Sequence, residues 1–499
     1  MAEEKTMRKN ECGAIHRRHN NEIVGEPARQ EFAVVPGIDL LSAKLDGLTI
    51  LVNRDNGLYC TLEGGSSVWQ WLQDGPVHLA GAALSGPLFE AGIVRLVNTT
   101  TADAPLLAVD SGVTATLHED LAEQIRPWQA VARPQRQTTS LRARKLVEAL
   151  ESFFEDMVET HGVPIVNAHS IGDHAMRVRT LPGQTSNQLL EAISHLASPD
   201  PAAAVGGLMI TAWNSSALSK SPVLAHLLIR LLRHWQTACG PRGEVLDLHC
   251  EDISAIFNPG PDVLSVVDFR SHRAWVLKCN DQPYPYWEIG SPFRFAMHEW
   301  FAAEGLQYVH GGAVGNEHGA VLLVGKGGSG KSTTSLVCAA AGMRYLGDDY
   351  CLADCRTDPD QPWIHSLYGT GKLTCSEDFL RLPELRNLSI NPDSFERGGN
   401  SKGVYSLSRL WPKRVVTGLP LRAIMIPQVC GGVATTIEPC SRQQALLALL
   451  PSTVGQLPGC TDADCRRIVT LVEQLPAYTL ALGSDPAGIA AAVAEVLDS

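Results

Sequence analysis

Apolar and polar positions around residue 320 form the clearest structural pattern in the chain. Two apolar runs, residues 306–315 and 320–325, are separated by the polar segment 316–319, which ends in glycine. This arrangement predicts a β-hairpin. The second run leads into a glycine-rich segment, 325–332, and then into a helical stretch, 333–341, that a glycine follows. The sequence therefore predicts a strand, a glycine-rich loop and a helix in succession.

Residues 325–332 match G-x-x-x-x-G-K-S, the pattern of a phosphate-binding loop. Glycines let successive backbone N–H groups close around phosphate oxygens, and the helix N-terminus adds further unpaired N–H groups. Lys331 would reach the outer phosphates and Ser332 would bind Mg²⁺. We therefore expect the chain to bind a nucleoside triphosphate. The residues expected to contact the nucleotide are Gly325, Lys326, Gly327, Gly328, Ser329, Gly330, Lys331, Ser332 and Thr333.

The same segment also fits a dinucleotide-binding pattern, G-x-G-x-x-G, at Gly325, Gly327 and Gly330. An acidic pair follows at about the distance that a dinucleotide fold requires. However, a dinucleotide site has no use for Lys331 and Ser332 directly after the last glycine, whereas a triphosphate site needs both. The sequence favours the triphosphate.

His310 is a candidate active-site residue because of the predicted hairpin register. If Gly315 pairs with Ala320, an antiparallel ladder places His310 opposite Gly325, at the mouth of the loop. The alternative is a strand histidine with a satisfied hydrogen bond. A bulge in the glycine pair that follows His310 would shift the register by one residue.

Two adjacent carboxylates, Asp348 and Asp349, interrupt the next predicted strand, 343–352. Adjacent strand residues point to opposite faces, so one or both must lie at the strand end, beside the phosphates. There, one carboxylate can hold Mg²⁺ and the other can accept the proton of an attacking hydroxyl. The alternative is an Asp-Asp turn on the surface.

His310, the hairpin, the loop and the Leu-Gly-Asp-Asp-Tyr segment together resemble the core of the HPr serine kinase/phosphorylase family. The match is dense over residues 305–355 and looser over 165–304 and 356–499. The resemblance implies an α/β fold with an HPr kinase/PEP carboxykinase-like P-loop core. It also implies that ATP and Mg²⁺ are the cofactors.

Carried over to this sequence, the family's roles imply that Lys331 and the loop amides hold the β- and γ-phosphates and that Ser332 binds Mg²⁺. Asp348 and Asp349 would share the metal contact and the general-base role, with His310 assisting. The resemblance does not decide which aspartate is the base.

The family's second signature, a glutamate-bearing glycine-rich stretch with a later arginine, is not recognisable in this chain. Lys372, Lys402 and Arg397 are candidates for that region, although each is more often an ordinary solvated base. The missing signature leaves open both HPr as the substrate and the reverse phosphorylase reaction.

The N-terminal part has a different pattern. Residues 1–30 are polar and of mixed charge, and they resemble neither a signal peptide nor an anchor. We expect them to form a frayed tail. Short apolar runs at 34–38, 48–52 and 58–62 predict strands, and the Asp-Asn-Gly turn between the last two predicts a hairpin. Residues 65–75 predict a helix that ends at glycine.

The hairpin, this helix and the later Gly-Ile-Val segment resemble PqqD-like peptide-recognition domains, which are small winged-helix modules. The resemblance implies that residues 31–100 bind a peptide, such as a ribosomal-peptide precursor, by adding it to a strand edge. The alternative is a small α+β cap without a ligand.

The expected fold class is α/β, with a small winged-helix-like α+β domain before the P-loop core. A linker is expected because proline, threonine and basic residues dominate before a predicted amphipathic helix, 146–158. The predicted units are a polar tail (1–30), the PqqD-like domain (31–100), the linker (101–145), the N-terminal part of the kinase-like unit (146–290) and the catalytic core (291–499).

Composition and charge exclude several classes of function. A net charge of −12 disfavours a broad nucleic-acid surface. The most apolar helical stretch, 223–233, is too short and too charged to span a bilayer, so we expect no membrane partner. Thirteen cysteines without a C-x-x-C pair indicate free thiols in a reducing, cytoplasmic compartment. Close cysteine pairs such as Cys460 and Cys465 do not supply four zinc ligands, so no zinc site is expected.

These observations predict a cytoplasmic ATP-dependent kinase that phosphorylates a hydroxyl, expected to be a serine, of a peptide or protein. One alternative is a regulatory module in which the nucleotide only switches conformation. Another is a kinase that acts on a small molecule. The resemblance leaves a homo-oligomer open, since HPr kinases are hexameric.

Overall fold

A computed structural model describes residues 140–499, apart from 184–186, 199–205, 215–221, 241–242, 357–360, 375–380, 386, 393–401 and 458. Before residue 140 it describes residues 32–36, 40–53, 58–63, 78–79, 88, 91, 93–98, 106–107 and 114–118. Within these ranges the chain is a mixed α/β protein with several sheets. Among the described residues, no helix is both long enough and apolar enough to cross a membrane.

The N-terminal part contributes the strands β1 (Phe32–Pro36), β2 (Leu40–Leu45), β3 (Leu48–Asn53), β4 (Tyr59–Glu63), β5 (His78–Leu79), β6 (Val94–Asn98), β7 (Leu106–Leu107) and β8 (Thr114–His118). An antiparallel sheet has the strand order β2-β3-β4-β8. The predicted hairpin is confirmed, since β3 and β4 pair with Leu48 opposite Glu63. The predicted turn 55–57 and helix 65–75 lie outside the described residues.

The predicted linker, 101–145, needs correction. β8 lies within it and pairs along its whole length with β4, from Glu63 opposite Thr114 to Tyr59 opposite His118. The first helix of the following unit begins within it as well. Backbone groups that pair in a sheet belong to a folded unit, so β8 is part of the N-terminal sheet and not of a linker.

The middle unit contains α1 (Ser140–His161), β9 (Ile165–Ile171), β10 (His174–Thr180), α2 (Asn187–Ala192), β11 (Leu208–Asn214), α3 (Pro222–Ala238), β12 (Ile253–Asn258), β13 (Val263–Asp268), β14 (Arg273–Lys278) and α4 (Tyr286–Gly290). Its sheet has the order β12-β13-β14-β11-β10-β9. The predicted helix 146–158 is part of α1. Leu146, Leu150 and Phe153 recur at helical spacing, so they share one face, which is buried against the sheet.

The C-terminal unit contains α5 (Arg294–Ala303), β15 (Gln307–Val309), β16 (Gly312–Gly315), β17 (Ala320–Leu323), α6 (Lys331–Ala340), β18 (Arg344–Gly347), β19 (Cys351–Asp354), β20 (Trp363–Ser366), β21 (Thr370–Leu373), β22 (Gly403–Ser406), α7 (Leu407–Leu410), β23 (Gly418–Val429), β24 (Thr436–Cys440), α8 (Arg442–Gln456), α9 (Asp462–Glu473), β25 (Ala477–Leu482) and α10 (Pro486–Asp498). Its large sheet has the order β15-β19-β20-β23-β17-β16-β18, and β25 joins β23 to β24.

Helices cover both faces of this large sheet. Val321 and Leu323 of β17 are packed with α6 and α10, whereas Leu322 between them is packed with α8 and α9. Successive strand side chains point to opposite faces, so a strand covered on both sides must be apolar throughout. The continuous apolar run before the glycine-rich loop is explained by this burial.

The predicted hairpin register is confirmed. Gly315 pairs with Ala320, and the ladder continues to Gly312 opposite Leu323. The ladder ends there, so His310 is not paired across it. The single strand predicted before the turn is in fact two strands, because β15 pairs with β19 while β16 pairs with β17.

His310 and Gly311 separate these two strands and belong to neither of them. No room exists for a side chain at Gly311, since a Cβ there would lie 2.8 Å from the carbonyl oxygen of Leu323. The bulge that the glycine pair could have introduced into the hairpin is not present, because β16 and β17 pair in regular register. A register shift occurs two residues later, between Ala313 and Val314, where β16 pairs with β18. The interruption between β15 and β16 releases His310 from the sheet.

The N-terminal sheet packs against two helices of the C-terminal unit. Apolar residues of β2 and β3 belong to one continuous core with α8 and α9. The backbone N–H of Ser42 donates to Asp462 Oδ1 at 3.3 Å, and Gln443 Nε2 donates to the carbonyl oxygen of Asp46 at 2.6 Å. The antiparallel pair β2–β3, called the N-terminal hairpin below, is therefore anchored by buried apolar surface and by hydrogen bonds at its rim.

Candidate active site

The glycine-rich loop connects β17 to α6. Gly330 caps the helix with a φ of 103°, a left-handed conformation that side-chain-bearing residues rarely adopt. A Cβ at this position would also lie 2.3 Å from Leu482 Cδ1. The second glycine of the motif is therefore required both by its backbone conformation and by β25, which packs against the loop. The expected strand and helix are present on either side of the loop.

Lys331 is the first residue of α6, and its side chain folds back over the loop. Its Nζ donates to the carbonyl oxygens of Gly325 at 2.7 Å and Lys326 at 3.1 Å. The side chain is buried, and burial lowers the pKa of Lys331 to about 8, although nearby Asp349 favours the charged form. The lysine ammonium is therefore positioned at the loop by hydrogen bonds to two neutral carbonyl groups.

Asp349 lies just after β18 and is held by two basic side chains. Its Oδ1 is 3.2 Å from His310 Nε2, and its Oδ2 is 2.5 Å from Lys372 Nζ. Lys372 Nζ also donates to Ser291 Oγ at 2.9 Å. The carboxylate is therefore fixed from both sides by residues that lie 39 positions before it and 23 after it.

Asp348 does not line the cavity that Asp349 enters. Its Oδ2 accepts a hydrogen bond from the backbone N–H of Lys372 at 2.9 Å, and the side chain is buried. Its carbonyl oxygen lies 3.5 Å from Ser332 Oγ, which donates to it. The expectation that the pair lies at a strand end is confirmed, since β18 ends at Gly347.

The two aspartates differ in their electrostatics. Burial raises the pKa of Asp348, and the neighbouring Asp349 charge adds to this effect. Burial would also raise the pKa of Asp349, but Lys372 and His310 together hold it well below its usual range. Neighbouring acids whose environments push their pKa values apart are suited to different roles.

His310 faces Asp349 as a neutral ring. Burial, and then the charge of Lys331, lower the pKa of His310. Its Nδ1 is buried and has no hydrogen-bond partner among the residues that the structure describes. The backbone N–H of His310 donates to Thr453 Oγ1 of α8 at 3.1 Å, so that helix fixes the position of the histidine.

A cavity of about 890 Å³ joins the loop to these side chains. Its lining includes His310, Lys331, Asp349 and Lys372, together with Lys402 beyond β21. The volume lies within the usual range for a small-molecule or cofactor site, roughly 300–1,000 Å³. Several cations and one ionised carboxylate line it, as expected for a site that receives polyanionic phosphates.

The structure corrects the sequence interpretation at Lys372, which we expected to be a solvated base. The side chain is 3% exposed and bonds Asp349, while its backbone bonds Asp348. No local signal in the sequence identifies this contact, because β21 brings Lys372 to Asp349 through tertiary packing. Arg397 lies outside the described residues.

Comparisons with known proteins add little. No protein-family model and no curated protein matches the chain. The solved structure of the Hpr(Ser) kinase/phosphatase from Coxiella burnetii is similar over 38% of this chain and 95% of its own, with 13% sequence identity and a TM-score of 0.22. A TM-score this low does not establish a shared fold, and we infer no function from it.

Proposed function

We propose that this protein is an ATP-dependent kinase that transfers the γ-phosphoryl group to a hydroxyl, expected to be a serine, of a peptide or protein. The observation that carries the proposal is the placement of Asp349. Asp349 lines the same cavity as the glycine-rich loop, and Lys372 and His310 hold its carboxylate there. An oriented carboxylate beside a phosphate site is what hydroxyl phosphorylation needs.

The loop supports nucleotide binding by its chemistry. Ser329 Oγ is buried and has no hydrogen-bond partner among the described residues, so a donor inside the loop is available to a phosphate oxygen. Lys331 can exchange its two carbonyl partners for phosphate oxygens, which bind an ammonium more strongly because they are charged. Loop amides at the start of α6 add further donors.

The residues present also fit Mg²⁺. Ser332 Oγ and the two aspartate carboxylates are the hard oxygen donors that this ion prefers. When bound, Mg²⁺ would neutralise charge on the phosphate oxygens. We assign Ser332 and Asp348 to the metal side, because Ser332 Oγ lies 3.5 Å from the backbone carbonyl oxygen of Asp348. The Asp348 carboxylate, which accepts from the backbone N–H of Lys372 in this structure, would turn towards the ion.

Asp349 is then the general base. The acceptor oxygen attacks the γ-phosphorus, the bond to the bridging oxygen of ADP breaks, and the hydroxyl proton passes to Asp349. Lys372 keeps this carboxylate ionised and oriented, and His310 fixes its other oxygen. Lys331 and the loop amides stabilise the charge that moves onto the departing ADP.

A macromolecular acceptor is supported by where the N-terminal sheet docks. β2 and β3 pack on α8 and α9, and α8 also carries Thr453, which bonds the backbone of His310. A peptide held by residues 31–100 would therefore be tethered near the helix that supports the active site. Tethering of this kind raises the local acceptor concentration.

The proposal is tested by phosphoryl transfer from γ-labelled ATP with the full-length protein. We expect label in members of an arrayed library of serine-containing peptides, and none with Lys331→Ala. Label found only in members of a panel of hydroxylated metabolites would indicate a small-molecule kinase instead. Tight ATP binding without transfer to either panel would indicate a nucleotide-switched module, and both outcomes would reject the proposal.

Lys372→Met is expected to lower kcat by roughly 100-fold with little change in the KM for ATP, because Lys372 positions the base and does not bind the nucleotide. The pKa of Asp349 should rise once its cation is gone, so the acidic limb of the pH–rate profile should move to higher pH. Steady-state kinetics across pH measure both effects. Lys413→Met, an exposed lysine outside the cavity, is the matched control. An unshifted acidic limb would contradict the role of Lys372.

A further inference from the structure

A second group of ligand-type side chains lies between α5 and α9, outside the proposed active site. His298 comes from α5, Cys460 lies two residues before α9, and Asp464 lies in the first turn of α9. All three are buried, and one ligand atom from each lies within 4.8 Å of the other two. Cys460 Sγ and His298 Nε2 are 3.8 Å apart. The fold has thus brought together two segments that are 162 residues apart.

The orientations of these ligand groups are fixed by their neighbours. Asp464 Oδ2 accepts from the backbone N–H and the hydroxyl of Thr461 at 2.7 and 2.9 Å, and Oδ1 accepts from Arg467 Nη2 at 2.6 Å. The His298 ring packs edge-on against Tyr308, with ring centres 5.8 Å apart. Oδ1 keeps acceptor capacity beyond its bond to Arg467, since a carboxylate has about four lone-pair sites, two on each oxygen. Ligating carboxylates in metal sites are usually hydrogen-bonded in this way.

An acidic cavity of about 390 Å³ lies next to the group. Gly459 and Thr461, which flank Cys460, line it, and so does Glu299, which follows His298 in the chain. Glu244 and Glu251 line its other side. A cavity bordered by carboxylates concentrates cations near the buried ligands.

We propose that His298, Cys460 and Asp464 bind one Zn²⁺ ion. The combination of imidazole, thiolate and carboxylate donors suits Zn²⁺, whereas Mg²⁺ and Ca²⁺ require oxygen donors. Three protein ligands leave a fourth position for water. Binding releases the thiol proton of Cys460 to solvent. The sequence did not reveal the site because its ligands do not follow a cysteine-pair spacing.

The ion would join α5 to α9. α5 begins at Arg294, whose Nη1 donates to the hydroxyl of Tyr350, the residue that follows Asp349 in the chain. α9 carries the face on which the N-terminal hairpin rests. A zinc ion at this junction would stabilise the contact between α5 and α9, the helix against which the N-terminal sheet packs.

The test is metal binding by the full-length protein, which does not depend on kinase activity. We expect the purified wild type to retain about one zinc ion per chain by mass spectrometric metal analysis, and to give the thiolate-to-metal absorption band when Co²⁺ replaces it. Cys460→Ser should lose the band and weaken Zn²⁺ binding by at least roughly 100-fold. Cys465→Ser, another buried cysteine outside the group, is the matched control and should keep both.

The proposal is overturned if the wild type binds neither Zn²⁺ nor Co²⁺ at micromolar concentrations, or if bound Co²⁺ shows no thiolate band. It is also overturned if Cys460→Ser binds Zn²⁺ as tightly as the wild type. The Co²⁺ spectrum of the wild type needs no variant, so it remains decisive even if Cys460→Ser does not fold.

Discussion

Replacing Lys331 with alanine is expected to abolish measurable ATP turnover, a loss of roughly 1,000-fold or more, while the fold remains intact. In the proposed mechanism Lys331 contacts the transferring phosphoryl group, and in the structure its Nζ donates to two loop carbonyl oxygens. Alanine is well tolerated in the first turn of a helix, so α6 should persist. Release of ADP measures turnover, and circular dichroism checks the fold. Wild-type turnover in a folded alanine variant would rule out the loop mechanism.

The same lysine also gives a pH signature. Its pKa is lowered to about 8 in the free protein, and bound phosphates would raise it. Below this pH the lysine is already protonated, so the ATP affinity stays constant; above it, binding must take up a proton, and the affinity falls by up to roughly tenfold per pH unit. Calorimetry in two buffers measures the proton uptake. Lys331→Arg is the control, because a guanidinium does not lose its proton in this range.

Asp349→Asn is expected to lower kcat by roughly 1,000-fold with near wild-type affinity for Mg-ATP, because an amide cannot accept the hydroxyl proton. Asp348→Asn should act differently: we expect weaker Mg-ATP binding and a smaller loss of kcat. Single-turnover kinetics and nucleotide titration separate the two effects. The reverse pattern would exchange the two roles, and wild-type transfer by both variants would refute the acid–base assignment.

Stability must be separated from catalysis in this experiment, because Asp349→Asn removes the ion-pair partner of the buried Lys372 ammonium. An unpaired buried charge destabilises the fold. The double variant Asp349→Asn/Lys372→Met removes both charges, so its Tm should recover towards that of the wild type while transfer stays low. Recovered transfer in the double variant would mean that Asp349 is not the base.

Local signals in the sequence predicted the hairpin, the loop and the strand end. Gly315 pairs with Ala320 as expected, because a short polar turn between two apolar runs fixes the register. Asp348 and Asp349 follow the end of β18. These features depend on contiguous residues and on alternation along a strand, which one sequence is sufficient to reveal.

The contacts that complete the site depend on tertiary structure, and the sequence did not reveal them. Lys372 reaches Asp349 because β21 passes beside the end of β18, and no local pattern encodes that approach. His310 reaches Asp349 because strand pairing is interrupted at His310 and Gly311. The predicted single strand is therefore two shorter strands in the structure. Pairing between β4 and β8 likewise bridges a segment whose composition indicated a linker.

The contact between the N-terminal hairpin and the C-terminal helices limits how the gene can change. Ser42 and Asp46 are bonded to residues of α9 and α8, and the apolar faces behind them share one core. A recombination that exchanged only the N-terminal segment would join two surfaces that had not been selected together. Substitutions on the hairpin and on these two helices should therefore covary among relatives, and a working chimaera should have to inherit both surfaces from the same parent.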